Sequence, residues 1–453
     1  MGSSIQDYLR PGIRVHLCGI GGVSMSPLAE VLHSMGLSVQ GSDMQESPAV
    51  AHLRSLGIPV TVGHQAQSVE GAAFLIRTAA VHDDNPEIRH ARELGIPVFE
   101  RAEAWGSIMR GYRNALCISG THGKTTTTSM ATHIFMAAGA DPTVMIGGTL
   151  PMLHSGYRVG AGDTIILESC EYCNSFLHFF PTVAVVLNVE ADHLDFFHDL
   201  ADVEHSFRRF AQLVPSDGYV VANADDPGAM EALQGLSLFT FGIRNPADCR
   251  AENLQWEDGL PAFDVVIRGQ TYCHIALQVG GTHNVMNALA AASAAYVLGL
   301  PGSAVSEGLA SFTGAGRRFE YKGTYHGAKI YDDYAHHPGE LHALLQMARG
   351  LGYQRILCAF QPHTYSRTKA LFADFVRELK AADVVLLAEI YAAREKNTIG
   401  ISSRDLAKEL PGSIYCPTLE DVTNQLRSLA RDGDLILTVG AGNIYTAGEA
   451  LLH

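Results

Sequence analysis

Short apolar runs closed by glycine or polar residues alternate with stretches of helical spacing along most of the chain, the pattern of parallel strands joined by crossover helices. Residues 13–20 read as a strand entering Gly19-Ile20-Gly21-Gly22-Val23-Ser24, with a helix predicted over 27–35 and a second strand at Ser38-Val39-Gln40. Phe74-Leu75-Ile76-Arg77, a helix over 85–94 and Ile96-Pro97-Val98-Phe99 continue a small parallel sheet, so a first domain is expected over 1–103. The run Ala115-Leu116-Cys117-Ile118 then leads through a glycine turn into a long helical stretch ending near Gly139, and further strands are read at Thr164-Ile165-Ile166-Leu167, Val183-Ala184-Val185-Val186-Leu187 and Gly218-Tyr219-Val220-Val221-Ala222. Between 236 and 279 the pattern alternates, as in Phe263-Asp264-Val265-Val266-Ile267 and Tyr272-Cys273-His274-Ile275-Ala276-Leu277, which predicts an antiparallel hairpin. An alanine-rich helix runs to about Leu298, and Thr313-Gly314-Ala315-Gly316 reads as a linker, closing a second domain at 104–313. From 314 to 453, runs at Ala328-Lys329-Ile330-Tyr331, Arg355-Ile356-Leu357-Cys358-Ala359-Phe360, Asp383-Val384-Val385-Leu386-Leu387 and Asp434-Leu435-Ile436-Leu437 predict a third α/β sheet, with a helix over 402–410.

Open α/β sheets bind ligands outside the C-terminal ends of their strands, and the polar residues collect there. After Ile118 comes Gly120-Thr121-His122-Gly123-Lys124-Thr125-Thr126. A glycine turn opening a helix presents unpaired N–H groups and the positive helix end, Lys124 reaches an oxyanion, and the Thr125 hydroxyl stands where it can hold Mg²⁺ beside a β/γ-phosphate. ATP is the expected ligand. The spacing GxxxxGK[ST] would need glycine where Ile118 stands, so the loop is a shorter variant. Two later strands end at Glu168-Ser169-Cys170-Glu171 and Asn188-Val189-Glu190-Ala191-Asp192-His193. Singly, Glu171, Asp192 and His193 are ordinary loop residues or helix caps; in one crevice they offer carboxylates and an imidazole to a divalent ion.

The first turn, with Gly19, Gly21, Gly22 and Asp43 about 20 positions further on, has the form of a dinucleotide fingerprint, although Ser24 stands where a third glycine or alanine is usual. A nucleotide diphosphate other than a nicotinamide is the preferred reading, with nicotinamide binding as the alternative. Asn284 and Asn287 share one helical face and could pair with an adenine edge; plain capping by Thr282 or Asn284 explains them as well. Adjacent Arg317 and Arg318 after two glycines suit a hinge carrying a phosphate clamp. The third sheet sets Asp332, Asp333, His336 and His337 after one strand, and His363 and Arg367 after another. Cys170 and Cys173 form a C-x-x-C without a second pair or a histidine at zinc spacing, so no thiolate metal site is read there.

A chain of 453 residues with 47% hydrophobic content exceeds one core and has material for several. Its net charge of −15 argues against a general nucleic-acid or anionic-membrane surface, so phosphate binding has to be local. The eight cysteines are scattered, and Cys18, Cys117, Cys273 and Cys358 lie in apolar runs as small buried hydrophobes of a reducing compartment. The N-terminal stretch has no apolar signal region and no uninterrupted apolar run reaches about 18 residues, so a cytoplasmic protein is expected.

The loop from Gly120 to Thr127, Glu168 to Glu171 before Ser175-Phe176-Leu177, Glu190-Ala191-Asp192-His193, His283-Asn284 with Asn287, Gly316-Arg317-Arg318-Phe319 and Asp332-Asp333-Tyr334 before His336-His337-Pro338 together resemble the Mur ligase family, in order and spacing over essentially the whole chain. Gly19-Ile20-Gly21-Gly22, Phe360-Gln361-Pro362-His363 and Ile390-Tyr391-Ala392-Ala393-Arg394-Glu395 resemble the branch that attaches the first amino acid. The resemblance implies an α/β fold of three domains: a Rossmann-like one for a UDP-sugar, a P-loop-type ATPase domain with a mixed sheet, and a mobile Rossmann-like one for the amino acid. It implies ATP-dependent joining of L-alanine to UDP-N-acetylmuramate in peptidoglycan synthesis, with two Mg²⁺ ions (Mn²⁺ a possible substitute), no nucleic acid or membrane partner, and a monomer or weak homodimer.

By the same resemblance Gly19, Gly21, Gly22, Ser24, Asp43 and Thr78 meet the UDP-sugar. Gly120, Thr121, His122, Gly123, Lys124, Thr125 and Thr126 cradle the phosphates, Thr125 and Glu171 hold one metal ion and His193 a second, and Asn284 and Asn287 read adenine. Arg318 clamps phosphate, Asp333 meets the ribose or helps close the domain, and His336, His363 and Arg367 face the amino acid. Ser169-Cys170 where Ala-Asp is frequent, Ala335 for a glycine and Thr364 for an arginine mark a subfamily. No lysine lies between Thr164 and Phe210 to be carbamylated near the second metal, which fits the alanine-adding branch. The alternatives are a sister ligase adding a recycled peptide or another amino acid, a nicotinamide oxidoreductase, and a nucleotide-driven switch.

Overall fold

Three sheets follow one another along the chain, described here from a computed structural model covering residues 4–453 apart from Ala79, Leu194, Asp195 and Arg394. Ala79, beside Thr78, and Arg394, part of the segment resembling the alanine-adding branch, therefore lie outside the described residues. The first sheet is wholly parallel, in the order Val60–Val62, Ser38–Asp43, Arg14–Cys18, Phe74–Arg77, Val98–Glu100. The chain's first strand lies in the middle and its successors are laid down on either side, so the crevice opens at its end, where Gly19 turns with φ +81°. A Cβ on Gly19 would meet Thr78 Cγ2 at 2.8 Å, so the turn needs glycine for both conformation and space.

The central sheet has ten strands. Its parallel middle carries Asn114–Ser119 between Val183–Val186 and Thr164–Glu168, and antiparallel pairs extend both edges. The middle strand shows why it reads as one continuous apolar run. Leu116 and Ile118 pack on one side with Met130, Ile134 and Phe135 of the helix Lys124–Ala137 and with the small side chains of Thr282–Val297. Ala115 and Cys117 face the other side, with Phe207 and Phe210 of the helix Leu200–Ala211. Both faces are covered, so the strand has no polar face to alternate. The expected hairpin is a three-stranded meander, because Cys249–Glu257 precedes Leu260–Ile267 and Gln270–Ala276. Cys249–Glu257 is largely exposed and rich in polar residues, which hides it from an apolar pattern. The edge pair Thr143–Leu150 and Ser155–Arg158 is hidden by its glycines in the same way.

The third sheet runs Glu320–Tyr325, Ala328–Asp333, Asp434–Val439, Arg355–Phe360, Val384–Ala388, Ile414–Cys416, parallel except for its first strand. Its two apolar clusters contain only its own residues, whereas the first sheet shares a cluster with the underside of the central one through Trp105, Ile108 and Met109. Among the described residues no helix is long and apolar enough to cross a membrane.

Phe176 anchors the shared core: it is fully buried, stacked on Phe210 at 4.5 Å and edge-on to Phe207 at 5.3 Å. Phe176→Ala should cost about 3–5 kcal/mol in denaturant unfolding, by lost transfer energy and the cavity left behind; a loss below about 1 kcal/mol would contradict this packing.

Candidate active site

The strand Asn114–Ser119 delivers the chain into a loop that only glycine can shape at two points. Gly120 adopts φ +146° and Gly123 φ +82°, and a Cβ on Gly123 would lie 2.7 Å from Asn287 Oδ1. The helix Lys124–Ala137 starts directly after, with its free N–H groups around the loop. Lys124 Nζ donates to the carbonyls of Gly120 and Thr121 and to Glu171 Oε2 at 3.0 Å. Burial would lower its pKa, but Glu171 and neighbouring acids outweigh that and hold the ammonium charged. Thr125 Oγ1 donates to Glu168 Oε1 at 3.0 Å, and Glu168 Oε2 accepts from Gly147 N–H at 2.6 Å. His193, at φ +53°, brings Nε2 to 3.9 Å from Glu171 Oε1 and 3.8 Å from Asp192 Oδ2. Thr125, Glu168 and His193 thus offer a hydroxyl, a carboxylate and an imidazole around one opening, with the Glu171 carboxylate buried just behind, a donor set that suits Mg²⁺.

A cavity of about 1240 Å³ opens on one side of the loop, between the central and third sheets, lined by Thr126, Asn284, Phe312, Arg318, Asp333 and Tyr353 among others. Asn287 is buried, accepting from Thr127 Oγ1 at 3.2 Å and donating to Asn284 Oδ1 at 3.2 Å, while Asn284 Nδ2 donates to the Gly280 carbonyl at 2.7 Å. Both amides are engaged within the protein, Asn287 as the back support of Gly123. Burial raises the Asp333 carboxyl to about 6 despite Arg318 and the N–H groups of Ala335 and Phe319. The two adjacent arginines separate. Arg317 is locked inside its own domain by Asp332 and the carbonyls of Gly440 and Gly442, while Arg318 faces the cleft, 3.6 Å from Glu340.

A second opening of about 560 Å³ joins Lys124, Thr125, Glu168, Asp192 and His193 to Arg318, Tyr334 and His336. Here the third domain reaches the central one through charge. Arg367 donates to Asp192 Oδ1 at 3.0 Å, and Arg367 lies 3.4 Å from His363 Nδ1. Burial would raise the Asp192 pKa, but His193 and Arg367 hold it well below the ordinary carboxylate range. Burial lowers His336 to about 3 and His363 to about 4, so both imidazoles are neutral at pH 7. Thr364, beside them, takes φ +66° with an extended ψ, a conformation that is strained for a β-branched residue.

In the first domain the Gly21 N–H donates to Asp43 Oδ2 at 2.8 Å, so Asp43 closes the glycine turn as well as standing at its strand's end. Ser24 opens the helix Met25–Ser34, and its hydroxyl is met by Arg101. Thr78 packs under Gly19. Gly19, Gly21, Gly22, Ser24, Asp43 and Thr78 thus surround one turn.

The chain matches three family models in chain order: "Mur ligase family, catalytic domain" over 14–113, "Mur ligase middle domain" over 118–295 and "Mur ligase, glutamate ligase domain" over 317–442. The chain belongs to the Mur ligase family. Its curated relatives include proteins named UDP-N-acetylmuramate–L-alanine ligase from Clostridium novyi and from Caldanaerobacter subterraneus, each 44% identical over 97% of both chains. A solved UDP-N-acetylmuramate-alanine ligase from Thermotoga maritima superposes with a TM-score of 0.82 at 30% identity, covering 97% of this chain and 98% of that one. The Mur ligase middle domain binds ATP, which accords with the loop at Gly120.

Two elements of this Mur ligase site escape a reading of the sequence. Glu340 lies in the first turn of the helix Pro338–Gly350, where a carboxylate normally serves as a cap. In the fold it is 3.4 Å from His122 Nδ1, 3.6 Å from Arg318 and 3.2 Å from His336. Its partner His122 was read only as part of the phosphate loop, yet its Nε2 lies 3.4 Å from Glu190, giving one imidazole between acids of two domains. Burial would lower the His122 pKa, but Glu190 and Glu340 raise it from its ordinary 6.5 to about 9. Because the folded value lies above the unfolded one, its stabilisation is fully present below about pH 6.5 and is lost as pH climbs through about 9. The unfolding-midpoint advantage of wild type over His122→Gln should therefore shrink between about pH 7 and about pH 9.5; a constant gap would contradict the paired imidazolium.

Proposed function

We propose that this chain is an ATP-dependent ligase that joins L-alanine to the carboxylate of UDP-N-acetylmuramate through an acyl phosphate, in peptidoglycan precursor synthesis. The observation that carries the reading is the meeting, at one opening, of Lys124, Thr125, Glu168, Asp192 and His193 from the central domain with Arg318 and His336 from the third, with Glu171 paired to Lys124 and Arg367 to Asp192 behind them, in a chain 44% identical to ligases of that name. In this reading residues 1–103 hold the UDP-sugar around Gly19, Gly21, Gly22, Ser24, Asp43 and Thr78, residues 104–313 hold ATP, and residues 314–453 hold the amino acid. Thr125 and Glu171 would hold one Mg²⁺ and His193 a second, with Mn²⁺ able to substitute; the ions supply charge neutralisation at the β- and γ-phosphates. The protein acts in the cytoplasm as a monomer or weak homodimer.

The chemistry then follows from the chain's own groups. A carboxylate is a poor acyl donor, so the sugar carboxylate first attacks the γ-phosphorus of ATP, ADP leaves, and an acyl phosphate forms. Lys124, released from the Gly120 and Thr121 carbonyls onto phosphate oxygens, and Arg318 from across the seam stabilise the charge of this transfer. The neutral amine attacks the acyl carbon, and collapse of the tetrahedral intermediate expels phosphate and leaves the amide. His336 and His363, neutral at pH 7, accept hydrogen bonds from the incoming ammonium and orient it. At values of about 3 and about 4 they are too weakly basic to retain its proton, which leaves with the phosphate. Closure of the third domain excludes the water that would hydrolyse the acyl phosphate.

Phosphate release should appear only when ATP, Mg²⁺, UDP-N-acetylmuramate and an amino acid are all present, with L-alanine ahead of L-serine and glycine. Lys124→Ala should lower kcat/KM by at least about 100-fold. Equal rates with a tripeptide acceptor, turnover without substrate, or NADH consumption would overturn the assignment.

A further inference from the structure

Behind the glycine turn of the first sheet, four polar side chains from four separate segments converge away from solvent. Cys18 ends the strand Arg14–Cys18, Ser42 lies in Ser38–Asp43, His64 follows Val60–Val62, and Glu87 sits in the first turn of the helix Pro86–Glu93. Cys18, Ser42 and Glu87 are fully buried, and the His64 side chain is 9% exposed. Cys18 Sγ lies 3.6 Å from His64 Nδ1, His64 Nδ1 lies 3.3 Å from Glu87 Oε2, and the three donor atoms are all within 4.8 Å of one another. Ser42 Oγ stands 3.0 Å from Nδ1, 2.6 Å from Oε2 and 3.9 Å from Sγ.

These separations have a geometric meaning. Tetrahedral angles with metal–sulfur bonds of about 2.3 Å and metal–nitrogen or metal–oxygen bonds of about 2.0–2.1 Å require sulfur–nitrogen and nitrogen–oxygen edges of about 3.6 Å and about 3.3 Å. The two edges measured here have those lengths. The carboxylate is also oriented from outside, since His16 Nε2 lies 3.2 Å from Oε2 and the Gln65 N–H donates to Oε1 at 3.2 Å, the kind of outer partner that fixes a ligand in place. Charge is also accounted for. Among the described residues the Glu87 carboxylate is met by two imidazoles, His16 at 3.2 Å and His64 at 3.3 Å, and by no lysine or arginine. One dication with one thiolate, one carboxylate, a neutral imidazole and a water sums to zero.

We propose that Cys18, His64 and Glu87, with a water as fourth donor and the Ser42 hydroxyl hydrogen-bonded to the carboxylate, bind one zinc ion that pins three segments of the first domain behind its glycine turn. Binding releases the Cys18 thiol proton to solvent and leaves no valence to be oxidised or reduced. The site is separate from the seam between the central and third sheets and stands independently of the reaction assigned there. A second convergence, His122, Glu190 and His337, has no sulfur and belongs to that seam, so sulfur ligation distinguishes the two.

The test uses the full chain without a histidine tag, depleted of metal and titrated with Zn²⁺ and then with Co²⁺. One equivalent of zinc should bind and raise the unfolding midpoint, and Co²⁺ should give tetrahedral d–d bands with a thiolate-to-metal charge-transfer band. Cys18→Ser should abolish the charge-transfer band and weaken zinc by at least about tenfold, as should Glu87→Gln for affinity. The double variant Cys170→Ala/Cys173→Ala should keep the band. Absence of the band from the wild-type chain, its survival in Cys18→Ser, or its loss in the double variant would overturn the proposal. Should Cys18→Ser fail to fold, the wild-type spectrum and the double variant decide it alone.

Discussion

A helix end with its N–H groups unpaired and a lysine ammonium above it forms a concentrated positive site, and the arrangement of the central domain follows from balancing it. Glu171 pairs with Lys124, Glu168 takes the Thr125 hydroxyl, and the Gly120 and Thr121 carbonyls take the remaining ammonium protons. Each of these contacts stands in for a partner that a polyphosphate and its metal would replace, so the loop is held in a charged, pre-shaped state without collapsing. The glycines at 120 and 123 and the buried Asn287 behind them serve that state, because a side chain at either glycine would meet Leu187 or Asn287.

Different forces hold the two outer domains. The first shares an apolar cluster with the central sheet through Trp105, Ile108 and Phe176, a contact that behaves like a continuous core. The third keeps its apolar clusters to itself and meets the central domain through Asp192 with Arg367 and through His122 with Glu340. A few ionic contacts between separately folded domains are easier to exchange than a shared apolar core, which would suit a domain that admits substrates and then closes over them. Under the proposed function, the linker through Gly314 and Gly316 would permit closure, and Arg318 at its end would carry a cation onto phosphate.

The sheets and the polar clusters of the candidate site at their strand ends were legible because parallel strands buried on both faces are unbroken apolar runs and the polar residues sit directly after them. Ala115 to Ile118 followed by the Gly120 loop shows both signals at once. The strand Cys249–Glu257, which joins the antiparallel extension to the parallel middle of the sheet, was not legible, since its exposed polar residues follow no apolar period. Nor was the cluster around Glu340 or the one around Glu87. Each assembles residues far apart in sequence, and in each the acid sits in a helix's first turn, where sequence alone assigns it to capping. The separate duties of Arg317 and Arg318 likewise depend on which direction two neighbouring side chains take from a backbone that passes through positive φ at Arg317 and Phe319.

Ligation by the proposed route requires the γ-phosphoryl group of ATP to pass to the sugar carboxylate before the amine arrives. Labelling that carboxylate with heavy oxygen and analysing the phosphate released on ligation tests this most directly. One labelled oxygen should appear in each phosphate, since the acyl phosphate's bridging oxygen comes from the carboxylate and leaves with phosphorus. Phosphate free of label, with the departing labelled oxygen found in water or in the nucleotide, would contradict it.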